Sequence, residues 1–341
     1  MEKVVRLVKT VTSVYLWAKH RERLLSTQRG VLILMYHEIA SLRSSVFEQL
    51  PVFCTAPESF SQQIDWLRKH FEVINIDEAV RRLRGQCCED GAAVVLTSDD
   101  GWSGFYRHAV PLLRSRALPA TIYITTSILD GKLPWYVRWR ILLTEQPQIR
   151  EWLSDALCTH GTIKEANDIL STLKQLDLAK IESLWKEATE KRGFVPNHMP
   201  SGWFMRVEEV REAVSAGITI GAHTVNHPQL SWETLSVASK EVLESKQILE
   251  QLTGQPVRHF AYPSGDYSDD VAELVRQAGF ETAVTTDMGW NQLGADLFRL
   301  RRIDVHETAY LDHRGRFSEA MFALTITGEW NRVRRRLRFW R

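Results

Sequence analysis

Short apolar runs rich in β-branched residues recur along the chain from residue 31 onward, and longer stretches with helical spacing separate them. This alternation is typical of βαβ units, which place their strands in a parallel sheet. The predicted strands are 31–36, 72–76, 93–98, 120–125, 218–222, 259–262, 281–285 and 300–305. Seven or eight parallel strands in succession favour a closed barrel over an open sheet, so we predict an α/β fold of the (β/α)-barrel type.

The stretch from about residue 130 to residue 200 interrupts this alternation. It is rich in Leu, Trp, Lys and Glu at helical spacing, and we interpret it as a helical insertion between the fourth predicted strand and the strand that leads to His223. In a barrel, such an insertion emerges at the rim that carries the catalytic loops. Two roles are open: a lid or wall that limits the substrate, or an elaboration that only buries its own apolar side chains.

The overall charge of the chain is close to neutral, with 43 basic and 42 acidic residues. The net charge therefore gives no reason to expect binding to nucleic acid. The cysteines Cys54, Cys87, Cys88 and Cys158 form no Cys-x-x-Cys pair and do not resemble the disulfide framework of a secreted protein. With no apolar run of ~18 residues and no signal-peptide core, we expect a cytoplasmic protein, and its oligomeric state is open.

Both ends of the chain mix basic and apolar residues. We therefore divide the chain into an amphipathic N-terminal segment at 1–30, the barrel at 31–310 and a basic C-terminal tail at 311–341. The last ten residues alone carry six arginines. This pattern predicts peripheral contact with the anionic leaflet of the inner membrane. The alternative is a terminal helix that packs on the barrel and is solvated on its other face.

Two adjacent carboxylates, Asp99 and Asp100, follow the apolar run at 92–96 and precede Gly101. Neighbours on a regular strand face opposite sides, but a turn at Gly101 can bring both to the mouth of the barrel. One carboxylate can then bind a metal and the other can accept a proton. A cation beside them is also what keeps two close carboxylates ionised at neutral pH.

Two imidazoles, His223 and His227, lie four positions apart directly after another predicted strand. That spacing suits one turn of helix or loop, so both side chains can face the same point. Together with an oxygen of one of the two aspartates they form the ligand set of a catalytic site for one divalent cation, zinc first and cobalt, nickel or manganese as alternatives.

These segments resemble the two metal-binding motifs of the polysaccharide deacetylase family, the NodB-homology carbohydrate esterases. Residues 97–101 resemble Thr-Phe-Asp-Asp-Gly with Ser98 in place of Phe, and residues 223–227 match His-Ser/Thr-x-x-His. Residues 35–37 and 118–121 add similarity, as does the Phe-Ala-Tyr-Pro-Ser-Gly segment at 260–265, a form found in bacterial members. The resemblance covers 31–305 and implies a distorted (β/α) barrel. It also implies that Asp99 is the general base and that Asp100, His223 and His227 bind the metal.

One departure from the family pattern concerns the arginine that steadies the catalytic Asp, because Ala261 occupies its position in the third motif. Its task could fall to Arg258, Arg299 or Arg302, and the sequence does not choose among them. The motif position that usually holds Tyr is Ser264, whose backbone N–H can still polarise a substrate carbonyl.

Further candidates surround the predicted centre. The usual general-acid His is not recognisable, and His306 is the nearest candidate for that role. His37 at the end of the first strand, Tyr262 in the third motif and Trp290 after the strand at 281–285 are candidates for contact with substrate, since an indole face suits a sugar ring.

The resemblance implies a metal-dependent hydrolase that removes an N-acetyl group from an amino sugar in a polysaccharide, oligosaccharide or lipid-linked glycan. The basic, aromatic termini favour a glycolipid precursor used in cell-envelope polysaccharide synthesis. One alternative is a deformylase or other amidohydrolase on the same scaffold. The other is a glycan-binding module that has lost its chemistry, although binding alone does not need both an Asp pair and two ligating imidazoles.

Overall fold

The computed structural model describes residues 2–44, 46, 48, 50–87, 91–157, 165–197, 199–330 and 332. Its centre is a parallel β-barrel with helices on the outside. The strands are β1 Val31–Tyr36, β2 Glu38–Ile39, β3 Cys54–Thr55, β4 Glu72–Val73, β5 Ala93–Ser98, β6 Thr121–Ile124, β7 Thr219–Ala222, β8 His259–Ala261, β9 Thr282–Met288 and β10 Leu300–Asp304.

Seven of these strands close the barrel in the order β1-β10-β9-β8-β7-β6-β5, and β5 pairs again with β1. The closing pair aligns Val31 with Ala93 and Tyr36 with Ser98, and every pairing in the barrel is parallel. The short β4 adds to the beginning of β5, and β2 and β3 form a separate pair. The prediction of an α/β barrel with about seven parallel strands is therefore confirmed.

The barrel strands are apolar on both faces because one face lines the interior and the other contacts helices. In β1, Val31 and Ile33 belong to the interior cluster, which also includes residues of β5, β6, β8, β9 and β10. Leu32 and Leu34 belong to the larger cluster that the outer helices complete. Because side chains alternate between the two faces of a strand, successive residues of β1 belong in turn to the interior cluster and to the outer cluster.

The described residues contain twelve helices. They are α1 Glu2–Ser26, α2 Pro57–His70, α3 Ile76–Leu83, α4 Val110–Ser115, α5 Trp135–Glu145, α6 Ile149–Ala156, α7 Ala166–Leu173, α8 Leu178–Lys186, α9 Val207–Ser215, α10 Leu235–Thr253, α11 Asp269–Gln277 and α12 Glu319–Ile326. None of them is both long enough and apolar enough to cross a membrane.

The predicted strand at 72–76 is wrong in its second half. The strand is only Glu72–Val73, because Asn75 caps a helix: its side chain accepts a hydrogen bond from the backbone N–H of Glu78. Ile76 is therefore the first residue of α3. Of the other predicted strands, only β9 differs from its expected end by more than one residue, running on to Met288.

Helix α1 packs along the barrel's outer layer. The Lys9 ammonium donates to the carbonyl of Ala309 at 3.1 Å, and the Trp17 ring centre lies 5.8 Å from that of Trp66 on α2. Beyond the predicted boundary at residue 310, α12 buries Met321 and Phe322 in the core. Residue 332 is described, whereas the other residues of the arginine-rich end, 331 and 333–341, lie outside the described residues.

Helices α5 to α8 occupy the predicted insertion between β6 and β7. They bury their own apolar residues, including Trp139, Leu142 and Ile169, in continuity with the main core. Residues 158–164 and 198 of the insertion lie outside the described part of the chain. The insertion is therefore packed as part of the main core and joins the barrel at the rim where β6 ends.

Candidate metal centre and active-site pocket

A cavity of about 460 Å³ opens at the carboxyl ends of the barrel strands. Asp99, Asp100, His223 and His227 all line it, so the two motifs that the sequence separates by more than 120 residues meet at one place. All four side chains are buried. This is the end of a parallel barrel where ligand sites are expected.

The Asp100, His223 and His227 side chains are arranged as metal ligands. Nε2 of His223 lies 3.2 Å from Oδ1 of Asp100, Nε2 of His227 lies 3.4 Å from the same oxygen, and the three candidate atoms lie within 4.8 Å of one another. Ligand atoms around a tetrahedral ion with ~2.1 Å bonds are about 3.4 Å apart. The three residues therefore fit a divalent cation.

The two oxygens of Asp100 have different partners. Oδ2 accepts hydrogen bonds from Trp102 Nε1 at 3.0 Å and from the Tyr136 hydroxyl at 2.6 Å, while Oδ1 faces the two imidazoles. Asp100 has φ of 71°, and Gly101 follows with φ of 84°. The turn expected at Gly101 thus directs the Asp100 carboxylate into the cavity. A positive φ at a non-glycine residue such as Asp100 is a backbone strain that is common in functional sites.

His223 is oriented by the neighbouring strand, because its Nδ1 lies 2.7 Å from the carbonyl of Ala261. A carbonyl accepts but does not donate, so Nδ1 carries the proton and Nε2 keeps its lone pair for a metal. His227 has φ of 59°, its carbonyl accepts from Trp135 Nε1 at 2.9 Å, and its ring lies 4.8 Å from that of Tyr136.

The loop that carries both histidines is held by Glu241 on α10. Its Oε2 accepts from the backbone N–H groups of Val225 and Asn226 at 2.9 and 2.8 Å, and its Oε1 accepts from the Asn226 side chain at 2.7 Å. Three hydrogen bonds to one ionised group are strong restraints. Glu241 therefore fixes the segment between the two imidazoles.

Asp99 forms a bidentate ion pair with Arg302 on β10, at 2.7 Å from Nη1 to Oδ1 and 2.6 Å from Nη2 to Oδ2. Burial by itself would raise the pKa of Asp99, but the charge and hydrogen bonds of Arg302 outweigh it and leave the pKa below its usual value. Arg302 is in turn held by the carbonyl of Thr285 at 2.8 Å. Asp99 is therefore an ionised carboxylate at the cavity.

Of the three arginines considered for contact with Asp99, the structure brings only Arg302 to it. Arg258 pairs with Asp77 at 2.9 Å, and Arg299 pairs with Asp269 at 2.6 Å. Both precede their strands and so lie at the opposite end of the barrel from the cavity. Strand position and two-residue periodicity are the sequence signals that could have selected Arg302.

Ser264 and His37 both line the cavity, as expected from the ends of their strands. Ser264 has φ of 55°, and its hydroxyl accepts from the Gln229 side chain at 3.1 Å. His306 is not among the lining residues; its Nδ1 lies 2.9 Å from the Thr308 hydroxyl. Burial lowers the pKa of His306.

Tyr262 and Trp290 do not line the cavity, so these two predictions are corrected. Ala261 belongs to the interior cluster, so Tyr262 faces the outer layer, where its hydroxyl donates to the carbonyl of Phe298 at 3.0 Å. Trp290 lies at the opposite end of the barrel, because Asn291 pairs with Val31 at the beginning of β1. Its indole N–H donates to a carbonyl of α12.

The insertion forms one wall of the cavity, a role that the sequence left open. The residues it contributes are Tyr136, Arg140, Asn167, Leu170, Ser171 and Lys174. Sequence reasoning did not single out Tyr136 or Trp102, although Trp102 lies two residues from Asp100. Tyr136 offered no local signal, because its contact with Asp100 depends on how the insertion folds over the barrel.

Comparison with known proteins agrees with this geometry. The family model described as polysaccharide deacetylase matches residues 87–283, more than half of the chain, and the match includes both histidines and both aspartates. YxkH from Bacillus subtilis (strain 168), which is named as a polysaccharide deacetylase, is 20% identical over 274 residues. That alignment covers 80% of this chain and 70% of YxkH.

Two solved structures share the fold. The Streptococcus pyogenes deacetylase PplD in complex with acetate has a TM-score of 0.58 at 20% identity, and the match covers 84% of this chain and 96% of PplD. IcaB from Ammonifex degensii has a TM-score of 0.57 at 18% identity, covering 88% of this chain and 98% of IcaB. The chain belongs to the polysaccharide deacetylase family, whose members are hydrolases of carbon–nitrogen bonds in linear amides.

Proposed function

We propose that this protein is a metal-dependent hydrolase that removes the N-acetyl group from an amino sugar in a polysaccharide, oligosaccharide or lipid-linked glycan. The observation that carries the proposal is the position of Asp99 and its partner Arg302 beside the Asp100, His223 and His227 cluster. A member of this family with a base and a complete ligand set in one cavity has the groups that amide hydrolysis requires.

Asp100, His223 and His227 would hold the cation, and two imidazole nitrogens with one carboxylate oxygen suit zinc first, with cobalt, nickel or manganese as alternatives. Such an ion supplies the Lewis acidity that activates water and polarises the amide carbonyl. The protein's own contribution is to orient the ligands: the Ala261 carbonyl holds the His223 proton on Nδ1, which leaves Nε2 for the metal, and Tyr136 donates to Asp100.

Asp99 would accept the proton of the attacking water. Each of its oxygens accepts one hydrogen bond from Arg302, and a carboxylate has about four lone-pair positions, so acceptor capacity remains on the side that faces the cavity. Arg302 keeps this carboxylate ionised and fixed in direction. A base that cannot rotate away from the water needs little reorganisation during the reaction.

Breaking the amide bond releases acetate and requires a proton on the departing sugar amine. Asp99 can return the proton that it took, or His306 beyond the cavity lining can donate one. The backbone N–H of Ser264, on the cavity wall, is the proposed donor to the developing oxyanion, and His37 would contact substrate.

The direct test is release of acetate from N-acetylated oligosaccharides and lipid-linked sugars by the purified protein, with and without chelator. We expect acetate release that chelation abolishes and zinc restores. Release of formate from N-formyl sugars in preference to acetate would favour the deformylase alternative, and no hydrolysis of any amide by the zinc-loaded protein would favour the glycan-binding module.

We also propose that helix α1 contacts an anionic membrane surface. Val8, Val11 and Tyr15 recur at helical spacing on the face of α1 that points away from the barrel, with 58%, 59% and 59% of their surfaces exposed. Exposed apolar side chains beside basic ones are typical of interfacial helices, and the Lys19 ammonium lies 5.6 Å from the centre of the Tyr15 ring. Sedimentation with vesicles containing phosphatidylserine should be lost when Val8 and Val11 are both changed to Glu; binding that survives this change would contradict the proposal.

A further inference from the structure

The insertion places two cations on the wall of the active-site cavity. Arg140 lies on α5 and Lys174 directly follows α7, and both line the cavity that holds the metal cluster. Arg140 is one helical turn beyond Tyr136, whose hydroxyl touches Asp100. Positions four apart on a helix rise about 6 Å and share a face, so Arg140 is within reach of a substrate bound at the cluster.

Both cations are partly withdrawn from water. Burial lowers the pKa of the Arg140 guanidinium, and burial likewise lowers the pKa of the Lys174 ammonium although Asp100 partly opposes that shift. Nε of Arg140 is a buried donor with no hydrogen-bond partner. An arginine with an unused donor inside a pocket is costly unless a ligand completes its hydrogen bonds.

No carboxylate within the described residues forms an ion pair with either cation. Arg140 contacts the side-chain oxygen of Asn167, which is neutral. Arg138 on the same helix differs, because it pairs with Glu182 and lies over the Trp185 ring at 5.0 Å. The insertion thus pairs the arginine that faces its own helices and leaves the one that faces the cavity without a counter-ion.

The acidic side chains that line the cavity do not act as counter-ions for Arg140 or Lys174. Asp99 is neutralised by Arg302, and Asp100 is directed at the two imidazoles, where a divalent cation would more than balance its charge. The remaining carboxylate, Asp304, belongs to β10 on the barrel rim and forms no ion pair within the described residues. With the cation in place, the cavity has an excess of positive charge on its insertion side.

We propose that Arg140 and Lys174, with the polar side chains of Asn167 and Ser171, bind an anionic substituent of the substrate. The substrate would be an N-acylated sugar that carries a phosphate or a carboxylate close to the acyl amide. This inference rests on the proposed deacetylase function and deepens it, since it assigns the insertion a role in choosing the substrate. A guanidinium and an ammonium together match either anion, and Arg can bind it through two donors.

The test compares three acetamido sugars of similar size on the zinc-loaded protein: N-acetylglucosamine 1-phosphate, an N-acetylhexosaminuronic acid and the neutral methyl glycoside of N-acetylglucosamine. We expect kcat/KM to be higher for at least one of the two anionic sugars than for the neutral one. The anionic sugar that is preferred identifies the group as phosphate or carboxylate. Arg140→Gln and Lys174→Gln should each lower the ratio of anionic to neutral kcat/KM by about tenfold or more.

Arg138→Gln is the matched control, because it removes an arginine from the same helix that faces away from the cavity; it should leave that ratio unchanged. A wild-type preference for the neutral sugar, or a ratio that Arg140→Gln does not alter, would overturn the proposal. Circular dichroism and metal content, unchanged in each variant, would show that the insertion still folds.

A second measurement separates this inference from the proposed function. Binding of inorganic phosphate to the zinc-loaded protein is measured by calorimetry and needs no turnover. Kd should rise about tenfold in Arg140→Gln and should rise with ionic strength in the wild-type protein. If no acetamido sugar is hydrolysed, the proposed function fails. Phosphate binding that weakens in Arg140→Gln would still support the anion site. Phosphate binding that is the same in Arg140→Gln and wild type would overturn the anion site.

Discussion

The Arg302 guanidinium donates one hydrogen bond to each oxygen of the Asp99 carboxylate, at 2.7 and 2.6 Å, and both side chains are buried. These residues are more than 200 positions apart in the chain, yet Asp99 directly follows β5 and Arg302 lies on β10, and these two strands flank β1 on either side. The barrel therefore places an arginine of another strand beside Asp99, whereas the third motif has Ala261.

Arg302→Lys tests the importance of the two-pronged contact. Lysine keeps the positive charge but lacks the planar guanidinium that binds both carboxylate oxygens. Asp99 therefore loses a hydrogen bond, and its carboxylate is no longer held in one orientation. We expect kcat for acetamide hydrolysis to fall about 10- to 100-fold while the metal content stays the same. Arg299→Lys alters an exposed pair with Asp269 and should leave kcat within twofold of wild type; a similar loss in both variants would argue against a specific role for Arg302.

Tyr136→Phe tests whether the insertion supports the metal site. The change removes a 2.6 Å hydrogen bond to Oδ2 of Asp100 and little else, so zinc affinity should weaken about 10- to 100-fold. Competition with a chelator of known affinity measures this directly. Tyr106→Phe removes a hydroxyl that contacts Glu212 away from the cavity, and its zinc affinity should equal that of the wild type. Equal affinity in Tyr136→Phe would contradict the assigned role.

Glu38 should make stability depend on pH. Burial raises its pKa to about 8, although hydrogen bonds from the backbone of Gly104 and Ile39 and the charge of Arg107 oppose the shift. The folded protein therefore holds a proton that the unfolded chain has already lost between pH ~4.5 and ~8. The stability that this proton provides is complete below pH ~4.5 and is lost as pH rises through about 8.

Glu38→Gln removes that titration and retains an oxygen acceptor for Gly104. We compare the free energy of unfolding of the variant with that of the wild type by urea denaturation at pH 5 and at pH 9. The difference should shift in favour of the variant by roughly 1–3 kcal/mol from the lower pH to the higher. Glu244→Gln changes an exposed glutamate on α10 and should show no such gain. A wild type and Glu38→Gln that respond identically to pH would contradict the raised pKa.

The sequence predicts the parts of the site that are local. The Asp99–Asp100 pair and the His223 and His227 spacing are each set by a strand end and its loop, and strand ends in a parallel barrel converge. Alternating apolar runs likewise predict the seven strands. What the sequence misses is what depends on three-dimensional neighbours, such as the choice of Arg302 and the contact between Tyr136 and Asp100.

The predictions for Tyr262 and Trp290 have different reasons, and neither residue lines the cavity. Tyr262 is predicted from its place in the third motif, and Trp290 because an indole face suits a sugar ring. Tyr262 faces the outer layer because Ala261 faces the interior, and Trp290 lies near the beginning of β1 because its neighbour Asn291 pairs with Val31. Which end a loop occupies depends on the path of the backbone, and periodicity alone does not give that path.

The central claim is that Asp99 performs proton transfer while its neighbour Asp100 binds the metal. Metal content and acetate release measured together on Asp99→Asn test it most directly, with His223→Ala as the contrasting variant. We predict about one zinc per chain in Asp99→Asn with turnover reduced at least about 100-fold, and loss of zinc from His223→Ala. Turnover in Asp99→Asn close to that of the wild type, with zinc retained, would contradict this division of roles.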